Sequence, residues 1–301
     1  MTRISCLVIA ASCVCALAQG KGQVIEIPFD FYRNEIVLQV SVNGKGPFSM
    51  MLDTGTDPSV VDLAWARTIG LKLDSIGRQG DGGGTDVNLA YGTKLPLVEI
   101  GGLSARNIET AALDLSKISA RLEKPMDGVL GQSLLSGRIV QIDYPNRVVR
   151  FYSESPFGQP ASKQPNTAAR TVLAFRYDGN VLIDDVLVNG KKVVGNLDTG
   201  SNGSFDLTPA AVTYLGLEDD VSRAPASTDT GYNGASANRK GKLRNVTIGG
   251  ISVDNQDVTF FGKGMGRDRR RWGINIGNVF LKDFVVTIDY RRKLIVLEKR
   301  P

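Results

Sequence analysis

The chain of 301 residues contains no histidine. That absence excludes serine–histidine–aspartate and cysteine–histidine catalysis, and zinc sites of the His-Glu-x-x-His kind. Cysteine is almost missing too. Cys6, Cys13 and Cys15 all lie in the first fifteen residues, so a chain that lost this segment would have neither thiol nor disulfide. Apart from the N-terminal stretch Ile4 to Ala18, no apolar run could span a bilayer, and that one is too short. Neither sign of charge dominates: 36 Lys and Arg against 31 Asp and Glu leave a net +5, mild for this length. The one basic concentration is Arg267, Arg269, Arg270 and Arg271, interrupted by Asp268. It reads as a solvated loop, with a subsite for acidic groups or an anionic membrane surface as the functional alternative. No nucleic-acid partner, cofactor or metal is expected.

What the chain does have is a repeat. Asp53-Thr54-Gly55 recurs as Asp198-Thr199-Gly200, 145 residues on; each copy follows a leucine and precedes a hydroxyl residue, Thr56 or Ser201. The flanks repeat in the same order. Val42-Asn43-Gly44 returns as Val188-Asn189-Gly190, Ile69-Gly70-Leu71 as Leu215-Gly216-Leu217, and Gly101-Gly102-Leu103 as Gly249-Gly250-Ile251. Leu130-Gly131 returns as Ile276-Gly277, and Ile142-Asp143-Tyr144 as Ile288-Asp289-Tyr290. A near-constant offset over this span indicates a duplication of domain size, not a short solenoid period. The expected organisation is an N-terminal lobe over 23–152, an exposed linker over 153–169 rich in Pro, Ser and Gln, and a second lobe over 170–301.

Residues 1–18 have Arg3, the apolar run and a small-x-small ending, Ala16-Leu17-Ala18. This reads as a cleaved export signal. The rival reading is lipidation at Cys13, because Ala10-Ala11-Ser12-Cys13 loosely resembles a lipoprotein cleavage site, although Ala10 stands where leucine is usual.

Ile36 to Val42 has the alternation and β-branched content of a strand, and Asn43-Gly44 supplies a turn that accepts positive φ. Val181 to Val188 with Asn189-Gly190 repeats the arrangement, and each turn leads into a strand that ends at the triplet. A short helix is expected after each triplet, capped by Asp62 in the first half and by Thr208 with Pro209 in the second. The remainder is short β-rich segments, so the fold expected is all-β: two homologous closed barrel-like lobes with a cleft between them.

These residues resemble the aspartic protease family over nearly the whole chain after the leader. The likeness rests on three ordered motifs, each present twice: apolar-Asp-Thr-Gly-Thr/Ser, a glycine-rich stretch about 30 residues later, and an apolar-apolar-Gly element. The glycine-rich stretches are Gly80-Asp81-Gly82-Gly83-Gly84 and Thr230-Gly231-Tyr232-Asn233-Gly234; the last elements are Val129-Leu130-Gly131 and Asn275-Ile276-Gly277. Each half is similar to one retropepsin-type subunit, and together they are similar to a bilobal, single-chain enzyme. Asn275 departs from the apolar pattern, and the tyrosine of a pepsin-like single flap has no obvious counterpart.

The resemblance implies that Asp53 and Asp198 form a catalytic pair, that Thr54 and Thr199 bond across to the opposite loop, and that a peptide or protein is the substrate. One chain would supply both half-sites, so a monomer suffices. Two carboxylates about 3 Å apart cannot both ionise, and the shared proton lets one accept a proton from water while the other donates to the scissile carbonyl; this dyad is a standard example of the effect. Gly55 and Gly200 allow the backbone to approach the carboxylates, and Thr56 and Ser201 are expected to donate to their outer oxygens. Gly82, Gly83, Gly84, Gly231, Tyr232 and Gly234 are the candidates for two flaps over the substrate.

Asp57 reads as an exposed turn acid, Trp65 and Trp272 as packing residues, and Asp143 and Asp289 as structural acids. Two rival functions stand beside the endopeptidase: a non-catalytic peptide-binding module with the same fold, and a two-carboxylate glycosidase. The glycosidase needs two acids with different tasks, which matched settings disfavour.

Overall fold

The computed structural model describes residues 22–80, 82–157, 166–262 and 271–299. The leader with its three cysteines, Asp81, linker residues 158–165 and the cluster from Arg267 to Arg270 lie outside that range.

The first half runs through β1 (Val24–Pro28), β2 (Asp30–Tyr32), β3 (Glu35–Val42), β4 (Lys45–Leu52), β5 (Ser59–Asp62), α1 (Leu63–Thr68), β6 (Arg78–Gln79), β7 (Leu89–Ile100), β8 (Leu103–Leu113), α2 (Ser116–Leu122), β9 (Gly128–Leu130), α3 (Gln132–Leu135), β10 (Ile139–Asp143) and β11 (Val148–Tyr152). The second half follows with β12 (Arg170–Tyr177), β13 (Val181–Val188), β14 (Lys191–Leu197), β15 (Phe205–Leu207), α4 (Pro209–Leu215), α5 (Glu218–Arg223), β16 (Ala226–Gly231), β17 (Gly234–Ile248), β18 (Ile251–Phe261), β19 (Ile274–Ile276), α6 (Asn278–Leu281), β20 (Phe284–Asp289) and β21 (Leu294–Lys299).

Local chemistry sets these boundaries. Asn43 and Gly44 both take positive φ, as do Asn189 and Gly190, which turns β3 into β4 and β13 into β14. Asp62 accepts from the Trp65 N–H at the start of α1, and Thr208 accepts from Ala211 N–H at the start of α4, where Pro209 lacks a donor to lose.

Each lobe closes on itself. In the first, β3-β4-β9-β5-β8-β7 is completed by a β3–β7 pairing; in the second, β13-β14-β19-β15-β18-β17 is completed by β13–β17. The lobes are not fully separate, however. β1, β11 and β10 of the first half join β20, β21 and β12 of the second in one continuous platform. At its centre β10 runs antiparallel to β20 with Gln141 opposite Thr287, Ile139 opposite Asp289 and Asp143 opposite Val285. Shifting the two members of a pair by 146 in opposite senses exchanges Ile139–Asp289 with Asp143–Val285 and returns Gln141–Thr287 to itself, so the duplication is expressed as a local two-fold in the register itself. The Gln141 amide donates to the Thr287 hydroxyl at 3.0 Å at that centre.

One hydrophobic core runs through both halves, and a smaller cluster of Val37, Met51, Val60, Leu113, Leu115, Ile118, Leu122, Met126 and Val129 belongs to the first lobe. Trp65 stands edge-on to Phe48 against the large core, and Trp272 is buried. Asp143 accepts from Arg150 and Asn146, and Asp289 accepts the N–H groups of Arg291 and Arg292 in the following turn. Asp57 accepts from the exposed Tyr177 hydroxyl.

Candidate active site

β4 and β14 each end at an Asp-Thr-Gly loop, and each loop is threaded between its own lobe and the other. The Thr54 hydroxyl donates to Leu197 O at 2.7 Å and accepts from Thr199 N–H at 3.1 Å. Reciprocally, the Thr199 hydroxyl donates to Leu52 O at 2.9 Å and accepts from Thr54 N–H at 3.0 Å. Both side chains are buried, so these four bonds have no competing water.

The loops are held from below by a second matched pair. Gln132 donates to Thr54 O at 2.6 Å and to the Tyr290 hydroxyl at 3.2 Å. Asn278 donates to Thr199 O at 2.7 Å and accepts from the Tyr144 hydroxyl at 2.6 Å. Each tyrosine comes from the opposite half. Gln132 and Asn278 are offset by 146, as are Tyr144 and Tyr290.

This scaffold brings the carboxyl groups of Asp53 and Asp198 within hydrogen-bond reach of each other. A methyl group at Gly55 would lie 2.7 Å from Asp198 Oδ1, and one at Gly200 would collide with the Asp53 carboxyl, so only glycine admits this crossing. The Gly55 N–H donates to Asp53 Oδ1 at 2.7 Å, and the Gly200 N–H to Asp198 Oδ1 at 3.0 Å. Burial first, then the neighbouring Asp198 charge, raises the pKa of Asp53 above the usual carboxylate range, against the lowering pull of the Thr56 hydroxyl and the Gly55 amide.

The outer oxygens are treated differently. Thr56 donates to Asp53 Oδ2 at 2.6 Å. Ser201, expected to do the same for Asp198, instead donates to Asp206 Oδ2 at 3.2 Å. The donor to Asp198 Oδ2 is the side-chain amide of Asn275, at 2.8 Å. The residue that breaks the apolar pattern of the repeat has therefore taken the position of the hydroxyl. Nearby, Glu35 is wholly buried and bonded to Arg121 at 2.7 Å; burial pushes its carboxyl up to about 8 despite that cation.

The glycine-rich segments lie over this site and meet each other. The Asn233 N–H donates to Gly83 O and the Asp86 N–H to Asn233 O, both at 2.7 Å. Any side chain at Gly84 would strike the Asn233 backbone. Gly82 lies under the Tyr232 side chain, Gly231 lies against Gly83, and Gly234 completes the second hairpin with positive φ. Tyr232 sits at the tip of that hairpin, packs on the smaller cluster of the first lobe and brings its hydroxyl to Thr56. Asn88 ties the two glycine-rich segments together, donating to Tyr232 O at 2.9 Å and to Asp114 O at 2.8 Å, while Lys117 pairs with Asp86. Tyr91, the other tyrosine near the first glycine cluster, lies on β7 opposite Ala112, away from the tip.

Among the described residues no group of three His, Cys, Asp or Glu side chains is placed to hold a metal, and no helix is long and apolar enough to cross a membrane.

Comparison with curated proteins yields no match. Among solved structures, the chain is similar to a retropepsin-like aspartic protease from Rickettsia conorii at 22% identity and a TM-score of 0.33, over 43% of this chain and 90% of that one. A family model described as aspartyl protease matches residues 38–134 and 185–274, one segment in each half. Those two segments make up more than half of the sequence, and the chain belongs to the aspartyl protease family.

Proposed function

We propose that this chain is an endopeptidase that hydrolyses peptide bonds with a water activated between Asp53 and Asp198. The observation that carries the reading is the crossed pair of Asp-Thr-Gly loops, which sets the buried Asp53 carboxyl and the partly buried Asp198 carboxyl side by side and holds them through both lobes. A pair so close retains one proton. The ionised member takes a proton from water as it attacks the carbonyl carbon, and the protonated member donates to the carbonyl oxygen. Collapse of the tetrahedral intermediate returns a proton to the leaving amine. The titration belongs to the pair, so acid and base are not assigned to individual aspartates. An extended peptide would lie under the flaps and bond to their strands through its backbone, after the flap contacts open.

Digestion of a diverse peptide library over a range of pH, with Asp53→Asn and Asp198→Asn alongside, tests this. Cleavage by the wild type and its loss in both variants, with the fold intact, is the expected result. Near wild-type turnover in either variant would remove the dyad.

We also infer export, with residues 1–18 absent from the mature protein. The support is the apolar run ending in Ala16-Leu17-Ala18. The mass of the exported protein tests it. A retained N-terminus counts against export, and a lipid-modified Cys13 would establish the anchored alternative.

A further inference from the structure

The repeat places three neighbouring strand positions in correspondence between the lobes. In the first lobe they are Met51 on β4, Val129 on β9 and Val60 on β5, opposite one another in register. In the second they are Asn196 on β14, Asn275 on β19 and Asp206 on β15, again in register. The first row is 3, 0 and 5% exposed, the second 2, 3 and 7%. One lobe buries three apolar side chains where its sister buries two amides and a carboxyl. Such a row is costly unless it is hydrogen-bonded, and a buried carboxyl most of all.

The bonds that satisfy it lead to the catalytic pair. Asn196 donates to Asn275 Oδ1 at 2.8 Å, which leaves the Asn275 amide nitrogen facing two carboxyls: Asp198 Oδ2 at 2.8 Å and Asp206 Oδ2 at 3.3 Å. Ser201, next to the Asp198 loop, donates to the same oxygen of Asp206. One amide nitrogen thus bridges a dyad carboxyl and a third, non-dyad carboxyl. Among the described residues the first lobe has no such bridge: Thr56 donates to Asp53 and meets the Tyr232 hydroxyl rather than a second carboxyl, and Val60 occupies the place of Asp206.

We propose that Asp206 is a positioning residue of the dyad: through Asn275 it orients the Asp198 carboxyl, and as an anion it keeps the shared proton on the pair to higher pH. The proposal rests on the dyad reading above. Through the bridging nitrogen the two carboxylate oxygens are no more than about 6 Å apart. A charge at that distance in buried surroundings opposes a second charge on the dyad.

The charged groups facing Asp206 are Asp198 and, from β16, Asp229, which is held by Asn238 and lies 3.9 Å from Lys240. β19 and β18 present the neutral Asn275 and Thr259 beside it. On the other side of the dyad the charged neighbour is Glu35 with Arg121. Burial, its largest influence, lifts Asp206 to about 6. It is therefore neutral in acid and charged at neutral pH.

The sign follows. Asp206→Asn keeps an oxygen for Asn275 and Ser201 but removes the charge. The basic limb of the kcat/KM profile should move down by about one pH unit while the acidic limb stays in place. Asn275→Val, which installs the residue of the sister lobe, removes the donor to Asp198. It should lower kcat about tenfold with KM held within about twofold, the mark of an interaction with the reacting groups. Carboxyl-carbon NMR of Asp206 provides an arm that needs neither turnover nor a substitution at Asp206. Its pKa should fall when Asp198 is replaced by Asn, because a negative neighbour is lost. Superimposable pH profiles for wild type and Asp206→Asn, or an Asp206 titration indifferent to Asp198→Asn, would overturn the proposal. Wild-type protein that cleaves no peptide would count against the endopeptidase reading, while the NMR coupling would still decide the link between the carboxyls.

Discussion

The Tyr232 hydroxyl, carried by the second lobe, lies 3.0 Å from the Thr56 hydroxyl of the first, which in turn donates to Asp53. The hairpin tip is thereby latched to the Asp53 loop. Tyr232→Phe keeps the ring on its apolar cluster and deletes one hydrogen bond, about 1 kcal/mol. The open flap should become about fivefold more populated. Hydrogen exchange reads this directly, at the Asn233 and Asp86 amides that join the flap tips. Unchanged protection at both would mean that backbone pairing alone holds the flaps.

Thr199→Val tests the crossing of the loops. The side chain keeps its shape but can no longer donate to Leu52 O or accept from Thr54 N–H, and both partners are buried. Each orphaned group costs about 1–3 kcal/mol, so global stability should fall by about 2–6 kcal/mol in urea unfolding, with Thr54→Val close behind. A loss under 1 kcal/mol would show that the loops do not depend on these bonds.

The hydroxyls after the two triplets should behave differently. Thr56→Ala removes a bond that favours ionised Asp53, so the dyad holds its second proton to higher pH. The acidic limb of the kcat/KM profile should rise by up to about one unit. Ser201→Ala leaves Asp198 with its Asn275 donor and should leave that limb where it is. Equal shifts in the two variants would contradict the observed hydrogen bonding.

Much of the architecture was legible because the duplication is a physical one. The offset that relates Ile142-Asp143-Tyr144 to Ile288-Asp289-Tyr290 is the same one that sets β10 against β20. The Asn-Gly turns and the caps at Asp62 and Thr208 depend on neighbours in sequence, and they form where such neighbours predict them. The shared platform was not legible, since strand pairing between halves carries no local signal. Nor was the role of Asn275, which registered only as a break in an apolar pattern. Its meaning depends on Asp206 and Asn196, which reach it only through strand register. Gln132 with Asn278, and Tyr144 with Tyr290, did stand at the repeat offset. A search of that offset for matched polar residues could have found them.

Asp53→Asn separates catalysis from stability. Burial and the Asp198 charge raise the Asp53 pKa in the folded protein above its unfolded value. The folded state therefore binds that proton more tightly. The associated stabilisation is complete below the ordinary carboxylate pKa of about 3.9 and is lost as the pH rises through the raised value. The wild type should lose stability between acidic and neutral pH from this group. Asn at position 53 has no proton to lose; its one oxygen can accept from the Gly55 N–H while its amide nitrogen donates to the Thr56 hydroxyl oxygen. The variant should thus be inactive, similar to wild type in stability near pH 4, and more stable at neutral pH by on the order of 2 kcal/mol. Urea unfolding of both proteins at the two pH values measures the difference. If the gap between them did not grow with pH, the Asp53 carboxyl would not be held protonated by its surroundings.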